Sequence, residues 1–231
     1  MKKSIREAFF ATIPVMAGYI VLGIGFGVLL SSKGYGILWS LAMSGLIYAG
    51  SMQFVAVDFL ASAASLITVA ITTLMVNARH LFYGISMIDK YKDTGAAKPY
   101  LIFALTDETY SLVCTDYEGD TKSRNRYYLL VSLFDQFYWV LGSVLGSLIG
   151  SLITFDVTGI DFALTALFLT VLTEQWLSMD DHVPALIGVI SSVVCRLIFG
   201  AGNFLIPAMI VITVGLFLLK LIRDKGAKLN E

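Results

Sequence analysis

Residues 77–84, with the sequence NARHLFYG, place an asparagine, an arginine and a histidine at the end of a long apolar run. The guanidinium of Arg79 is a permanent cation that can bind a carboxylate. The imidazole of His80 can gain or lose a proton near neutral pH. Asn77 adds a hydrogen-bond donor and an acceptor beside them. The segment therefore has the groups needed to bind an anion and to relay a proton.

Two adjacent acids, Asp107 and Glu108, lie in the sequence TDETY at residues 106–110. Successive side chains on a helix are about 100° apart, so these carboxylates are expected to lie close together. Two such groups resist simultaneous ionisation. They are suited to proton coupling or to pairing with Arg79. The alternative is a loop or interfacial helix with solvated acids.

A third polar group occurs in the sequence AGSMQF at residues 49–54. Gly50 and Ser51 permit a helix break that frees backbone groups to line a cavity. Gln53 offers a donor and an acceptor. The alternative is a small-residue packing site with one hydrogen bond between helices.

The composition places these groups in a membrane protein. Of the 231 residues, 57% are hydrophobic and only 14% are charged, against about 25% in a soluble domain. The apolar runs lack the strict alternation of barrel strands, so helices are predicted. The net charge of −1 gives no indication of nucleic-acid binding. The sequence contains neither a metal-ligand motif nor a nucleophile–base motif, so we expect no cofactor and no enzymatic activity.

An all-α polytopic fold with seven or eight transmembrane helices follows, some of them broken at polar sites. The predicted spans are residues 9–30, 37–60, 64–84, 99–116, 127–153, 161–178, 184–200 and 204–222. Residues 99–116 are short for a span, which leaves the choice between seven and eight open. Gly142, Gly146 and Gly150 are spaced by four, which is typical of close helix packing. A charge at mid-bilayer costs at least about 2.5–3.5 kcal/mol, so Arg79 must line a polar cleft or extend to the headgroups.

The sequence also contains an internal similarity. The segment 19–27, YIVLGIGFG, matches 138–146, YWVLGSVLG, and Arg79 in RHLFYG matches Arg196 in RLIFG. Gln53 corresponds to Gln175, which makes Glu174 and Gln175 further candidate site residues. Glu174 can equally be an interfacial acid. We predict a single membrane domain with one repeat at about 9–90, a connecting segment at 91–126 and a second repeat at about 127–210, as in many secondary transporters.

Five segments in this order and spacing resemble the AzlC family, the large subunits of branched-chain amino acid exporters. They are YIVLGIGFG, AGSMQF, NARHLFYG, TDETY and DFALTALFL, which together extend over most of residues 10–200. The resemblance implies a multi-pass permease of the bacterial cytoplasmic membrane. It also implies export of branched-chain amino acids and methionine, proton coupling, and a small membrane partner of the AzlD type.

A secondary transporter is thus the predicted function. Arg79 or a helix N-terminus would bind the substrate carboxylate, Asp107 or Glu108 its ammonium group, and Phe54, Phe82 and Tyr83 its aliphatic side chain. The rival functions are a membrane channel, an exporter of other small amphiphilic compounds, a membrane-embedded enzyme and a structural subunit. Clustered polar residues argue against a channel, which needs a continuous polar lining.

Overall fold

The structure, a computed structural model, describes residues 2–115, 117, 119–152, 162–200 and 204–229, and these residues form helices and turns without a strand. The predicted all-helical fold is therefore confirmed. In chain order the helices are α1 (Lys2–Ser32), α2 (Ile37–Ala42), α3 (Gly50–Ser62), α4 (Leu66–Val76), α5 (Arg79–Met87), α6 (Lys98–Phe103), α7 (Asp107–Val113), α8 (Thr121–Leu152), α9 (Phe162–Ser178), α10 (Val183–Phe199) and α11 (Leu205–Leu229).

Among the described residues, two helical stretches are long and apolar enough to cross a membrane, namely Ser4–Ser32 of α1 and Thr121–Leu152 of α8. The bent pair of α4 and α5 makes a third if it is counted as one span. The predicted spans at 37–60, 64–84 and 99–116 are each interrupted. The number of seven or eight spans stays a prediction.

The two long helices pack closely along a row of glycines. A side chain at Gly23 of α1 would place its Cβ 2.9 Å from the backbone nitrogen of Ser143 on α8. A side chain at Gly142 would place its Cβ 2.7 Å from the carbonyl oxygen of Ile20 on α1. Neither backbone atom can move without separating the helices. The close packing predicted for the glycines of α8 is therefore present, and the glycines of residues 23–27 form its other half.

Gly23→Leu is expected to destabilise the protein, because the added side chain meets backbone and not a flexible neighbour. Overpacking of this kind costs about 1–3 kcal/mol. The melting temperature of the purified protein in detergent measures the effect. Gly18→Leu is the matched control, since Gly18 lies on the same helix with nothing within 4 Å of an added Cβ. Equal melting temperatures for the two variants would contradict the packing.

The hydrophobic core of the first compact unit, Met1–Leu167, consists of two clusters of buried side chains. One cluster joins α1, α3 and α8 and includes Phe26, Phe54 and Trp139. The other joins α6, α7 and α8 and includes Leu101 and Val131.

The second compact unit, Phe168–Glu231, contains most of α9 together with α10 and α11. The ring of Trp176 stacks on that of His182 with 4.1 Å between centroids. Arg223 Nη1 donates to Asp181 Oδ2 at 2.6 Å, and this hydrogen bond lowers the pKa of Asp181. The predicted pair of sequence repeats, with its boundary at residues 91–126, stays a prediction.

Candidate functional site

The first helix break lies between α2 and α3. A π-helical turn, Met43–Ile47, follows α2, and Tyr48 then adopts a left-handed conformation with φ 45° and ψ 49°. The chain becomes helical again at Gly50. Gln136 Nε2 on α8 donates to the carbonyl oxygen of Gly45 at 3.1 Å. The protein thus supplies a partner for a carbonyl at the break, as backbone at membrane depth requires.

Two further breaks bring charged residues to helix N-termini. The chain bends by 49° between α4 and α5, and Arg79 is the first residue of α5. The chain is also interrupted between α6 and α7, where Asp107 begins α7. Thr106 caps α7, because its Oγ1 accepts a hydrogen bond from the backbone N–H of Thr109 at 3.2 Å. The predicted spans 64–84 and 99–116 are therefore each two helices with polar residues at the junction.

Arg79 joins the three breaks. Its Nη1 forms an ion pair with Asp107 Oδ2, and its Nη2 donates to Ser51 Oγ at 2.7 Å. The first turns of α3, α5 and α7 consequently meet at one guanidinium. The side chains of Arg79 and Asp107 are 32% and 25% exposed, so the pair is accessible to a small molecule.

The electrostatics of this junction favour a bound zwitterion. The N-terminal ends of α3 and α5 each carry a partial positive charge of about half a unit. Arg79 adds a full positive charge, and Asp107 supplies a negative one. Arg79 Nε and Asp107 Oδ1 have no hydrogen-bond partner among the described residues. Both atoms are buried, so a further group can reach them only when the two side chains move apart.

The neighbouring acid, Glu108, has a different environment. Tyr19 of α1 donates from its hydroxyl group to Glu108 Oε2 at 2.6 Å. The same tyrosine oxygen lies 2.6 Å from Thr106 Oγ1. Asp107 and Glu108 thus bind separate partners, although the sequence places them together. Of the two acids, Asp107 is therefore the one that pairs with Arg79.

Gln53 is fully buried and is bound through both amide atoms. Its Oε1 accepts from Trp139 Nε1 at 2.9 Å, and its Nε2 donates to Ser44 Oγ at 3.2 Å. Gly50 is close to the same indole, since an added Cβ would lie 3.3 Å from Trp139 Cη2. Gln53 and Gly50 therefore fix the start of α3 against α8. They hold Ser51 in place, and Gln53 is buried away from any ligand at the junction.

Asn77 and His80 lie at the edge of an apolar groove of about 400 Å³. The carbonyl oxygen of Asn77 lies 3.2 Å from His80 Nδ1. Aliphatic side chains of α4 to α6 supply most of the remaining lining, including Leu74, Leu81 and Ile102. Ala78 and His80, the sequence neighbours of Arg79, both line the groove. Arg79 and Asp107 are not among its lining residues, and its volume is large enough for an aliphatic group.

The expected aromatic wall of Phe54, Phe82 and Tyr83 is not formed. Phe54 is 1% exposed and packs on Phe26, with ring centroids 5.7 Å apart. Phe82 is 68% exposed and points away from the core. Tyr83 stacks on Tyr110 at 4.6 Å. Phe82 and Tyr83 are successive residues of α5 and face different directions, and Phe54 of α3 is buried in the core.

Glu174 and Gln175 belong to α9, but their side chains lie outside the described residues. Their proposed correspondence to Gln53 stays a prediction. The part of the chain that the structure describes contains no group of three His, Cys, Asp or Glu residues able to hold a metal ion.

Four polar residues beside the junction were not predicted from the sequence, namely Tyr19, Thr106, Thr109 and Asp135. Asp135 is the most informative omission, because it is an acid in the middle of an apolar run on α8 and is fully buried. Thr109 Oγ1 donates to Asp135 Oδ2 at 2.8 Å. The isolation of this acid in the sequence is the signal that could have identified it.

Comparison with known proteins gives one consistent family. The AzlC protein family matches residues 14–153. The branched-chain amino acid transport protein AzlC of Bacillus subtilis is 42% identical over 90% of this chain and 82% of its own length. An uncharacterized membrane protein of Helicobacter pylori is 39% identical, over 94% of this chain and 96% of its own. The inner membrane protein YgaZ of Escherichia coli is 27% identical over 71% and 70%. No solved structure matches.

Proposed function

Because this membrane protein belongs to the AzlC family, we propose that it is a secondary transporter that exports branched-chain amino acids and methionine. A relative with 42% identity is named as a branched-chain amino acid transport protein. The direction of transport, methionine as a substrate and coupling to protons are part of the proposal. The chain moves its substrate unchanged and catalyses no reaction.

The partly exposed pair of Arg79 and Asp107 carries this proposal. A zwitterionic amino acid can enter between the two side chains, with its carboxylate on Arg79 and its ammonium group on Asp107. Two ion pairs then replace one, and neither charge is left without a partner. The exchange avoids the cost of leaving an unpaired charge away from water. Ser51 and the first turn of α3 add hydrogen-bond donors on the carboxylate side.

The apolar groove beside Asn77 and His80 is the proposed site for the substrate side chain. Its volume of about 400 Å³ and its aliphatic lining suit leucine, isoleucine, valine and the unbranched side chain of methionine. A basic side chain would lose its hydration there and would meet the ammonium group of Lys98, which also lines the groove. The groove thus supplies the preference for apolar amino acids.

Broken helices at the site are the expected machinery for alternating access. The bends before Gly50, Arg79 and Asp107 let the outer half of each segment move while the polar junction stays in place. His80 and Glu108 are titratable groups near the junction, and we propose that one or both carry protons during transport. Proton movement would couple export to the membrane potential and pH gradient.

We place the protein in the bacterial cytoplasmic membrane as a multi-pass subunit, in keeping with the name of its inner-membrane relative from Escherichia coli. The proposed partner is a small membrane protein of the AzlD type. Apolar side chains of α4 and α5 that are more than half exposed are available to lipid or to such a partner, including Leu66, Ile67, Leu74 and Ile85.

Counterflow of labelled leucine in proteoliposomes, with and without the AzlD-type partner, tests the proposed function. We expect leucine, isoleucine, valine and methionine to exchange with labelled leucine, and lysine not to exchange. Accumulation should respond to an imposed pH gradient. Absence of exchange with the partner present would contradict transport, whereas ion conductance far above transporter turnover would identify a channel.

A further inference from the structure

A continuous series of oxygen atoms connects the candidate site to Asp135, a buried acid of the first unit. Glu108 Oε2 lies 2.6 Å from the hydroxyl oxygen of Tyr19, which lies 2.6 Å from Thr106 Oγ1. Thr106 Oγ1 lies 3.1 Å from Thr109 Oγ1, and Thr109 Oγ1 lies 2.8 Å from Asp135 Oδ2. All four separations are within hydrogen-bonding distance. The chain therefore joins two carboxyl groups through three hydroxyl groups.

The two ends of this chain have different access. Glu108 and Thr106 are half-buried and adjoin Asp107 in the candidate site. Tyr19 is 4% exposed, whereas Thr109 and Asp135 are fully buried. Asp135 has no ion-pair partner in the described part of the chain, and its Oδ1 accepts no hydrogen bond from those residues. A carboxylate in this position has no cation to balance its charge.

The series of oxygen atoms needs one more hydrogen atom than its three hydroxyl groups provide. Four oxygen–oxygen contacts need four hydrogen atoms, and Tyr19, Thr106 and Thr109 supply one hydroxyl hydrogen each. With both acids ionised, one contact would bring two oxygen lone pairs together without a hydrogen. One proton on either Glu108 or Asp135 completes the chain.

We propose that Glu108, Tyr19, Thr106, Thr109 and Asp135 form a proton wire, with Asp135 as its internal proton-binding site. When the proton resides on Glu108, every hydroxyl group donates toward Asp135. Transfer moves the Glu108 proton to Tyr19, the Tyr19 proton to Thr106, the Thr106 proton to Thr109 and the Thr109 proton to Asp135. Every bond broken is matched by one formed, and all donor directions reverse. The wire rests on the proposed function, for which it supplies the route of the coupling proton.

Among the residues that the structure describes, the cation within electrostatic range of the wire is Arg79, at the Glu108 end. The titratable groups within electrostatic range of Asp135 are Glu108 of α7, Tyr48 before α3, Tyr100 of α6 and Tyr127 of α8. Those near Glu108 are Asp107, Arg79, Tyr19, Tyr48 and Tyr83. A substrate that draws Arg79 and Asp107 apart changes the field at Glu108. Its ammonium group, placed on Asp107, would favour an ionised Glu108 and drive the proton toward Asp135.

Transport by the full chain with its AzlD-type partner in proteoliposomes tests the wire. Asp135→Asn and Thr109→Val should each abolish leucine accumulation driven by a pH gradient, while leucine exchange without a gradient continues at the wild-type rate. A pH-sensitive dye trapped inside should report proton movement with leucine in the wild type and none in either variant. The matched controls, Asp89→Asn and Thr115→Val, replace exposed residues of the same types and should behave as wild type.

Full accumulation in both variants would overturn the wire. Accumulation that follows a sodium gradient in place of a pH gradient would also overturn it. If Asp135→Asn fails to fold, as judged by gel filtration, Thr109→Val decides alone. Absence of leucine exchange in the wild type, in contrast, would contradict the proposed function. The proton shared by Glu108 and Asp135 would then be tested directly.

Infrared spectroscopy of the purified protein provides that direct test, since it needs no transport. A wild-type minus variant difference spectrum at neutral pH should contain the C=O stretching band of one protonated carboxyl group. The variant for this measurement combines Asp135→Asn with Glu108→Gln. A difference spectrum with ionised carboxylate bands alone would show that both acids are deprotonated and would contradict the shared proton.

Discussion

Arg79→Ala is expected to remove leucine transport while the protein stays in the membrane. The substitution deletes the cation that is proposed to bind the substrate carboxylate and that also holds Ser51 and Asp107. Loss of a hydrogen bond to a charged group costs about 1.5–3 kcal/mol, which is roughly 10- to 150-fold in affinity. Arg79→Lys should recover only part of the loss, because an ammonium group cannot contact both partners in the guanidinium geometry.

Initial rates of labelled leucine uptake over a range of concentrations, normalised to the amount of protein in the vesicles, measure this effect. Arg223→Ala is the matched control. It also removes an arginine paired with an aspartate, but that pair lies in the second unit and is more exposed. Normal transport by Arg79→Ala, or an equal loss in Arg223→Ala, would remove Arg79 from the substrate site.

Asp107→Asn is expected to reduce leucine transport about as much as Arg79→Ala does, for a different reason. The amide cannot balance the substrate ammonium group, and it leaves Arg79 without its counter-ion. The single variant should therefore lose both leucine transport and thermal stability. The exposed variant Asp89→Asn should lose neither.

The double variant Arg79→Ala with Asp107→Ala separates the two losses. Removing both charges restores electrical balance, so its melting temperature should exceed that of Asp107→Asn. Coupling energies between contacting residues are typically about 0.5–3 kcal/mol. Leucine transport should remain absent. Recovery of transport in the double variant would mean that the pair is structural and takes no part in binding.

Much of the candidate site can be predicted from residue type alone. The cost of a charge in lipid requires Arg79 to find a partner, and the acids at 106–110 are the natural partners for it. The helical class and the packing glycines follow in the same way from apolar composition and regular spacing. These features depend on residue types and their spacing, which can be read directly from the sequence.

The break before Gly50 agrees with the one predicted at Gly50 and Ser51, whereas the breaks before Arg79 and Asp107 are harder to predict, since neither contains a glycine or a proline. Tyr48 adopts a left-handed conformation that its residue type disfavours, and the surrounding tertiary structure stabilises it. Asp107 and Glu108 are successive residues of α7 and are about 100° apart around its axis, so Asp107 binds Arg79 and Glu108 binds Tyr19.

The hydrogen bond between Thr109 and Asp135 depends on the same local geometry. The two residues are 26 positions apart, and the approach of α7 to α8 sets their contact. Threonine is too common for its position to reveal such a partner. The groove was likewise not predicted, because its lining residues come from α4, α5 and the segment that leads into α7, whose approach the sequence does not reveal.

Binding of labelled leucine to the purified protein, in competition with two analogues, tests the zwitterion site most directly. One analogue, 4-methylpentanoate, lacks the amino group, and the other, 3-methylbutylamine, lacks the carboxylate. Both retain the branched side chain. If Arg79 and Asp107 each bind one charge of the substrate, unlabelled leucine should displace the label and both analogues should fail at the same concentrations. Displacement by either analogue as effectively as by leucine would contradict recognition by the pair.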